Sequence, residues 1–241
     1  MSRPIDVPTR ETADFIASHL HAGADLLEVG CGDGDVAAEL ARRGHRVVAL
    51  DADPEATARA QQRGVTAVTA NWPDFDHAPV DAIAFTRSLH HILPLEEAVR
   101  RAHELLRPGG VLLVEDVAFD EIDDATIDWF VDTLRREPGR ALVRPVPSFV
   151  NRLLAAGDPR VEWRRHHREH DVSPAIAIAA AVSARFRSVA LEAAPYLYRY
   201  PVPVLAETRE AAAFIDDLRR SEARLAGEGR VTLIGRRFVA R

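Results

Sequence analysis

The chain has 241 residues, of which 47% are hydrophobic and 28% charged, so it can bury one sizeable core but is too short for two full α/β domains. Its formal net charge of -6 lacks the basic excess that usually neutralises phosphates, which argues against DNA or RNA as a partner. All 31 basic residues are arginine, which excludes a Schiff-base lysine, a P-loop lysine and a lysine general base.

Cysteine content and the amino-terminal sequence indicate the compartment. Cys31 is the only cysteine, so no disulfide can form within the chain, and we expect a cytoplasmic protein. The first residues lack the apolar stretch of a signal peptide. No apolar run approaches the ~20 residues that span a bilayer, so no membrane segment is expected.

The first half of the chain alternates predicted helices and strands at a spacing typical of a parallel sheet with right-handed crossovers. Helical periodicity predicts helices over residues 8–21, 35–43, 54–62 and 95–106. Short apolar runs predict strands over residues 25–29, 46–50, 65–69, 80–85 and 111–115. The segment Arg107-Pro108-Gly109-Gly110 is expected to stop the fourth helix before the fifth strand begins.

After Asp116 the regular alternation ends. Helices are predicted over residues 121–136, 149–156, 173–185 and 206–226, and strands over residues 187–193 and 230–240. We therefore predict a single domain over residues 1–241, with a core of about 1–117 and 186–241. A lid insertion is expected at about 118–185 and a smaller helical insertion at about 195–228. Because its aromatic side chains must be buried, we expect the lid to close over the strand ends.

A glycine-rich loop follows the first predicted strand, in the segment Leu26-Leu-Glu-Val-Gly-Cys-Gly-Asp-Gly34. Gly30, Gly32 and Gly34 leave room for a ligand to touch the backbone and permit positive φ angles. Open α/β sheets bind nucleotides at this position, so the loop predicts a nucleotide-like ligand.

Acidic residues around the loop narrow the choice of ligand. Glu28 and Asp33 are unfavourable for a pyrophosphate, and Asp35 stands where the dinucleotide spacing GxGxxG would continue with glycine or alanine. Glu28 suits instead the positively charged methionyl end of S-adenosyl-L-methionine (SAM). Asp51 ends the second strand, where a carboxylate can bind both ribose hydroxyls of an adenosine group.

Four segments in this order, LLEVGCGDGDVAAEL, VVALDADP, VDAIAFTRSLHHI and ELLRPGGVLLVED, resemble class I SAM-dependent methyltransferases, particularly those that act on small molecules. The resemblance is dense over residues 24–117 and looser over the last two strands. It implies a Rossmann-like α/β fold whose seven-stranded, mostly parallel sheet has an antiparallel last strand.

The resemblance also implies SAM as the cofactor and a set of residues around it. These are the strand-end acids and the glycine loop, an adenine loop after the third strand, and an arginine after the fourth: Glu28, Gly30, Cys31, Gly32, Gly34, Asp51, Ala52, Asn71, Trp72 and Arg87. Related proteins usually carry aspartate where Asn71 stands, but an asparagine oxygen can still accept a hydrogen bond from the adenine amine.

Missing motifs favour a small-molecule acceptor. No Asn/Asp-Pro-Pro-aromatic motif follows the fourth strand, Cys31 belongs to the cofactor loop, and the lysine base of the metal-dependent catechol type is absent. We therefore expect no nucleic-acid partner, no membrane partner and no metal, and we leave a homodimer open. SAM-dependent chemistry other than methylation, a protein or RNA methyltransferase, and a catalytically silent module remain as alternatives.

Histidines and tyrosines supply the candidates for catalysis and acceptor binding. His90 and His91 follow the fourth strand, where one of them would deprotonate a hydroxyl; alternatively, both support the loop. His166 and His170 lie in the predicted lid, where they would contact the substrate or form part of a solvated surface. A metal site there would lack a third ligand. Tyr196 and Tyr198 would wall the acceptor pocket or pack in the core.

Overall fold

A seven-stranded sheet organises the structure, a computed structural model that describes residues 2–169 and 172–241. Its strands are β1 (Asp25–Val29), β2 (Arg46–Asp51), β3 (Thr66–Thr69), β4 (Val80–Thr86), β5 (Leu106–Val117), β6 (Val189–Ala194) and β7 (Gly235–Ala240). They lie in the order β3-β2-β1-β4-β5-β7-β6, in which β1 to β5 pair in parallel and the last strand is antiparallel. The Rossmann-like sheet expected from the resemblance is thus confirmed.

The helices follow the predicted order, with two additions. They are α1 (Asp6–Ala17), α2 (Asp35–Arg42), α3 (Pro54–Gln62), α4 (Leu95–Leu105), α5 (Asp124–Arg135), α6 (Gly139–Leu142), α7 (Phe149–Ala155), α8 (Pro159–Arg168), α9 (Ala175–Arg185) and α10 (Arg209–Gly227). Helices α6 and α8 were not expected from the sequence. The start signals of α8 are nevertheless present: Asp158 accepts a hydrogen bond from the Arg160 amide, and Pro159 occupies the first helical position. None of the helices within the described ranges is long and apolar enough to cross a membrane.

Strand β5 begins earlier than predicted. Leu106 already pairs with Val80, and the register shifts between Val80 and Ala82 before regular pairing resumes with Val111 opposite Ala82. The Arg-Pro-Gly-Gly segment therefore ends α4, as expected, but lies within the extended chain rather than in a separate turn.

The described residues group into two compact units. The sheet unit comprises residues 9–117, 172–192 and 236–241, and the inserted unit comprises residues 2–8, 118–169 and 193–235. The inserted unit therefore draws on both predicted insertions. Residues 172–185 differ from the expectation, because α9 groups with the sheet unit: Ile178 and Val182 share a buried cluster with Val99 of α4.

Two buried clusters cover the two faces of the central strands. Leu27 and Val29 lie in one cluster with side chains of α4 and α9, whereas Leu26 lies in the other with Leu40 of α2 and Ile16 of α1. Successive side chains of a strand point to opposite faces, so both faces of β1 are buried. This explains why β1 reads as a continuous apolar run rather than an alternating one.

A buried carboxylate holds a turn of the inserted unit. Glu222 of α10 is 0% exposed and accepts hydrogen bonds from the backbone amides of Tyr196, Leu197 and Tyr198 at 2.8, 3.1 and 3.4 Å. Burial raises the pKa of Glu222 to about 7, against the opposing effect of these hydrogen bonds. The turn therefore depends on a group that is costly to ionise in place.

We predict that Glu222→Gln removes part of the pH dependence of stability. Between pH 4.5 and 7 the folded protein retains a proton that the unfolded chain releases, so the free energy of unfolding falls as pH rises. One such group contributes at most about 1.4 kcal/mol per pH unit. Urea unfolding at pH 5, 6, 7 and 8 should show a shallower decline for Glu222→Gln than for the parent. Glu210→Gln, an exposed position on α10, is the matched control, and equal slopes in all three proteins would contradict the prediction.

Candidate functional site

A cavity of about 470 Å³ lies within the sheet unit at the carboxyl ends of β1, β2 and β4. The strand order reverses between β1 and β4, and open α/β sheets bind ligands at such a switch point. The lining comes from the segments that follow these strands and β3: Val29, Gly30, Gly32, Leu50, Asp51, Ala52, Ala70, Asn71, Trp72, Arg87, Ser88, His91, Ile92 and Leu93. The predicted cofactor residues Glu28, Cys31 and Gly34 lie outside this lining.

The glycine loop is shaped by close packing on one side and open space on the other. A Cβ added to Gly30 would lie 2.2 Å from the Ser88 Cβ, so only glycine fits there without a shift of the backbone. Gly32 has a φ of +52°, and a Cβ added to it would meet nothing within 4 Å. The Gly32 peptide therefore borders the open cavity, where a ligand can approach the backbone.

Asp51 links the two strand ends that border the cavity. Its Oδ2 accepts a hydrogen bond from the Gly32 amide at 2.7 Å, and its Oδ1 accepts one from the Asp53 amide at 3.0 Å. An ionised carboxylate has about four acceptor sites, so each oxygen retains capacity for another donor. The carboxylate is thus oriented and can still bind a pair of neighbouring hydroxyls.

Glu28 lies beneath the loop rather than at the cavity wall. It is 0% exposed, and its Oε1 accepts a hydrogen bond from the Thr86 hydroxyl at 2.7 Å. Its Oε2 is buried and has no hydrogen-bond partner among the residues that the structure describes. Burial raises the pKa of Glu28 to about 7, against the opposing effect of Thr86. A buried acceptor without a donor is a site that a cation or a ligand-associated donor would stabilise.

Cys31 is buried between these acidic groups. Burial, followed by the charges of Glu28 and Asp51, raises the pKa of the Cys31 thiol to about 12. The thiol is therefore protonated at neutral pH and is not suited to act as a nucleophile.

Adjacent histidines occupy different environments at the end of β4. His91 lines the cavity, whereas His90 is buried. The His90 Nδ1 lies 2.5 Å from Oδ1 of Asp116, and the His90 amide donates to Oδ2 at 3.1 Å. The two imidazole rings are in contact, with centroids 3.9 Å apart. The structure therefore places His91 at the cavity and His90 between His91 and a buried carboxylate.

Sequence reasoning missed Asp116, although a signal was present. Asp116 is 0% exposed and lies near the end of β5, which is the neighbour of β4 in the sheet. An acid that directly follows a buried run at this sheet edge belongs to the same group of strand-end carboxylates as Asp51.

Arg87 and Trp72 complete the wall of the cavity. Arg87 is the only non-glycine residue in the described ranges with a positive φ, which is 63°. Its buried Nε has no hydrogen-bond partner among the same residues. Backbone in this region costs of the order of 1–3 kcal/mol and is concentrated at functional sites. Trp72 is fixed by a hydrogen bond from Nε1 to the Ala98 carbonyl at 3.0 Å, while Asn71 is exposed.

The predicted substrate contacts of the lid lie in the inserted unit. His166 stacks on Phe149 with centroids 3.9 Å apart, and its Nδ1 lies 3.2 Å from a guanidinium nitrogen of Arg152. Tyr196 and Tyr198 are 8% and 1% exposed. His170 lies outside the described residues. A substrate role for these four side chains stays a prediction.

Histidine, cysteine and acidic side chains are the groups through which this chain could hold a metal ion. Over residues 2–169 and 172–241, no group of three histidine, cysteine, aspartate or glutamate side chains is arranged to hold a metal ion.

Comparisons with known proteins agree with the geometry. A family model described as a methyltransferase domain matches residues 7–154. An uncharacterised methyltransferase of Mycobacterium tuberculosis is 41% identical over 98 residues, which cover 37% of this chain and 48% of that protein. A trans-aconitate 2-methyltransferase of the same species is 31% identical over 133 residues, 54% of this chain and 50% of that protein. The chain spans about half the length of the curated relatives it matches.

Solved structures give partial matches. The CcbJ methyltransferase of Streptomyces caelestis is 26% identical, with a TM-score of 0.44 over 48% of this chain and 52% of that one. The 1,6-didemethyltoxoflavin-N1-methyltransferase of Burkholderia thailandensis is 31% identical, with a TM-score of 0.41 over 45% and 52% of the two chains. The family model covers more than half of the sequence and confirms the resemblance seen in the four motifs: this chain belongs to the methyltransferase domain family.

Proposed function

We propose that this protein transfers a methyl group from SAM to a small-molecule acceptor. The observation that carries the proposal is the Asp51 carboxylate, held by the Gly32 amide at 2.7 Å with acceptor capacity left on both oxygens. A paired acceptor of this kind suits a ribose diol. Membership of the methyltransferase domain family supports SAM over other adenosine cofactors.

The residues around the cavity fit the parts of SAM. Asp51 would bind the ribose hydroxyls, and Asn71 with Trp72 would hold the adenine. The guanidinium of Arg87, which lines the cavity, would bind the carboxylate of the methionyl group. The buried Oε2 of Glu28, which has no hydrogen-bond donor, would favour the positively charged methionyl end. A pyrophosphate would instead meet the negative charge of Asp51 at the cavity wall.

When bound, SAM supplies a methyl group on a positively charged sulfur, so displacement by an aligned acceptor needs little further activation. The task of the protein is therefore to bind, orient and manage one proton. His91 lines the cavity and is the side chain placed to accept a proton from an acceptor hydroxyl. Asp116 accepts from His90, whose ring in turn contacts that of His91.

The acceptor side of the cavity is partly apolar. Ile92 and Leu93 line it, and Leu93 is 51% exposed. A cavity of about 470 Å³ falls within the range of small-molecule sites. The relative named trans-aconitate 2-methyltransferase makes small carboxylic acids the first acceptor class to test.

The proposal is tested first by cofactor selectivity. S-adenosylhomocysteine (SAH) should raise the melting temperature in a thermal shift assay, because a ligand that binds only the folded protein stabilises it by mass action. NAD at the same concentration should have no effect. Stabilisation by NAD but not by SAH would overturn the proposal.

Asp51 should contribute directly to cofactor affinity. Asp51→Asn replaces charge-assisted hydrogen bonds with neutral ones, a loss of about 1–1.5 kcal/mol, so SAH affinity should fall roughly tenfold by calorimetry. The matched control is Asp53→Asn, which makes the same change two residues away and keeps a good helix N-cap. Equal SAH affinity in the two variants would remove Asp51 from the site.

Replacement of His91 should lower the turnover of the enzyme. With an oxygen acceptor, His91→Ala should lower kcat by about 10²-fold or more without lowering the affinity for SAH. A general base contributes typically ~10²–10⁴-fold to the rate. The acidic limb of the pH–rate profile should disappear in the same variant. SAH release with a panel of small acids measures kcat, and exposed His21→Ala serves as the control. Unchanged turnover in His91→Ala would mean that alignment alone drives the transfer.

A further inference from the structure

A second cavity, of about 260 Å³, lies within the inserted unit between α8 and the segment that leads into α5. Its apolar wall includes Phe119, Ile127 and Trp163, and its charged lining consists of Asp120, Arg164 and Arg168.

His167 forms part of the aromatic wall, and both of its nitrogens are engaged within the unit. Nδ1 lies 2.9 Å from the Trp163 carbonyl, so Nδ1 carries the proton and donates. Nε2 lies 3.1 Å from the Tyr200 hydroxyl. The ring is parallel to that of Phe119, at an interplanar angle of 5° and a centroid distance of 5.1 Å. The imidazole is therefore held as a flat surface with both nitrogens engaged.

Trp163 packs behind the same wall. Its side chain is 1% exposed, and its Nε1 donates to the Phe119 carbonyl at 3.1 Å. The indole and imidazole centroids lie 4.6 Å apart. Hydrogen bonds to backbone carbonyls thus fix both rings before any ligand arrives, which lowers the entropic cost of binding a third ring.

The two arginines that line this cavity differ in their ion pairing. Arg164 forms an ion pair with Asp124, which lies outside the lining. Arg168 is exposed and makes no ion pair with any residue in the described ranges. Asp120 supplies the one carboxylate of the lining. Since Arg164 is already ion-paired, Arg168 is the guanidinium of the lining that an added anion would meet.

We propose that this cavity binds a small planar aromatic monoanion, such as an aromatic carboxylate. The ring of the ligand would pack against the fixed rings of Trp163, His167 and Phe119, since aromatic rings associate at centroid distances of 4.5–7 Å. Its carboxylate would pair with the Arg168 guanidinium, whose planar fork matches a carboxylate. The proposal goes beyond methyl transfer and does not depend on it.

The test uses three soluble probes with the full-length protein. Benzoate carries ring and charge, benzamide the ring alone, and cyclohexanecarboxylate the charge alone. Titrations are followed by the three tryptophan indole signals in 1H–15N spectra, of which Trp163→Phe identifies its own. Benzoate should shift the Trp163 signal selectively, with a dissociation constant about fivefold or more below those of the other two probes.

Arginine variants separate the proposed site from general surface attraction. Arg168→Gln should weaken benzoate about fivefold and make it equal to benzamide. Arg209→Gln is the matched control, because Arg209 of α10 is likewise exposed and without an ion pair to the described residues. Benzamide binding as tightly as benzoate, or Arg168→Gln binding benzoate like the parent, would overturn the proposal. So would equal shifts of all three indole signals.

Discussion

The hydrogen bond from the Gly32 amide to the Asp51 carboxylate joins the loop after β1 to the end of β2. It can form only because the two strands pair in parallel register, which brings their carboxyl ends to one edge of the sheet. The same edge receives the end of β4, where the strand order reverses. The remaining parts of the cavity, from the glycine loop to His91, depend on this alignment.

Buried carboxylates of the sheet unit differ in how completely they are satisfied. Glu115 accepts from the Thr12 hydroxyl at 2.5 Å and from the Arg237 guanidinium, so it ties α1 and β7 to β5. Asp116 is bound by His90. Glu28 alone among these carries an oxygen without a donor. Native interiors rarely leave such groups unpaired. A positively charged ligand group would therefore be stabilised most near Oε2 of Glu28, beneath the glycine loop.

The inserted unit follows the same rules with different residues. Glu222 accepts hydrogen bonds from three backbone amides, and the aromatic side chains of α7 and α8 pack on one another. His167 is held by a carbonyl and a hydroxyl, so its ring forms a fixed surface. Arg164 and Arg168 lie beside this aromatic wall.

Local patterns were sufficient for much of the fold and for several residues that line the candidate cavity. Strand β1 and helix α3 match their predicted bounds, because apolar periodicity and capping residues act over a few positions of sequence. The glycine loop and Asp51 could be recognised for the same reason, because each stands directly at the end of a predicted strand. Helix α8 escaped prediction because its arginines and histidines obscured the apolar periodicity around Trp163.

Tertiary structure alone decided which histidine borders the cavity. His90 and His91 are neighbours in sequence and equivalent in chemistry, but Asp116, 26 residues away, binds the first and leaves the second at the wall. It also decided that Glu28 is buried beneath the loop and not in the lining, since that depends on Thr86 of the adjacent strand. The sequence by itself determined the sheet, the glycine loop and the strand-end acids. Side-chain orientation, burial and pairing required the fold, because each is set by residues distant along the chain.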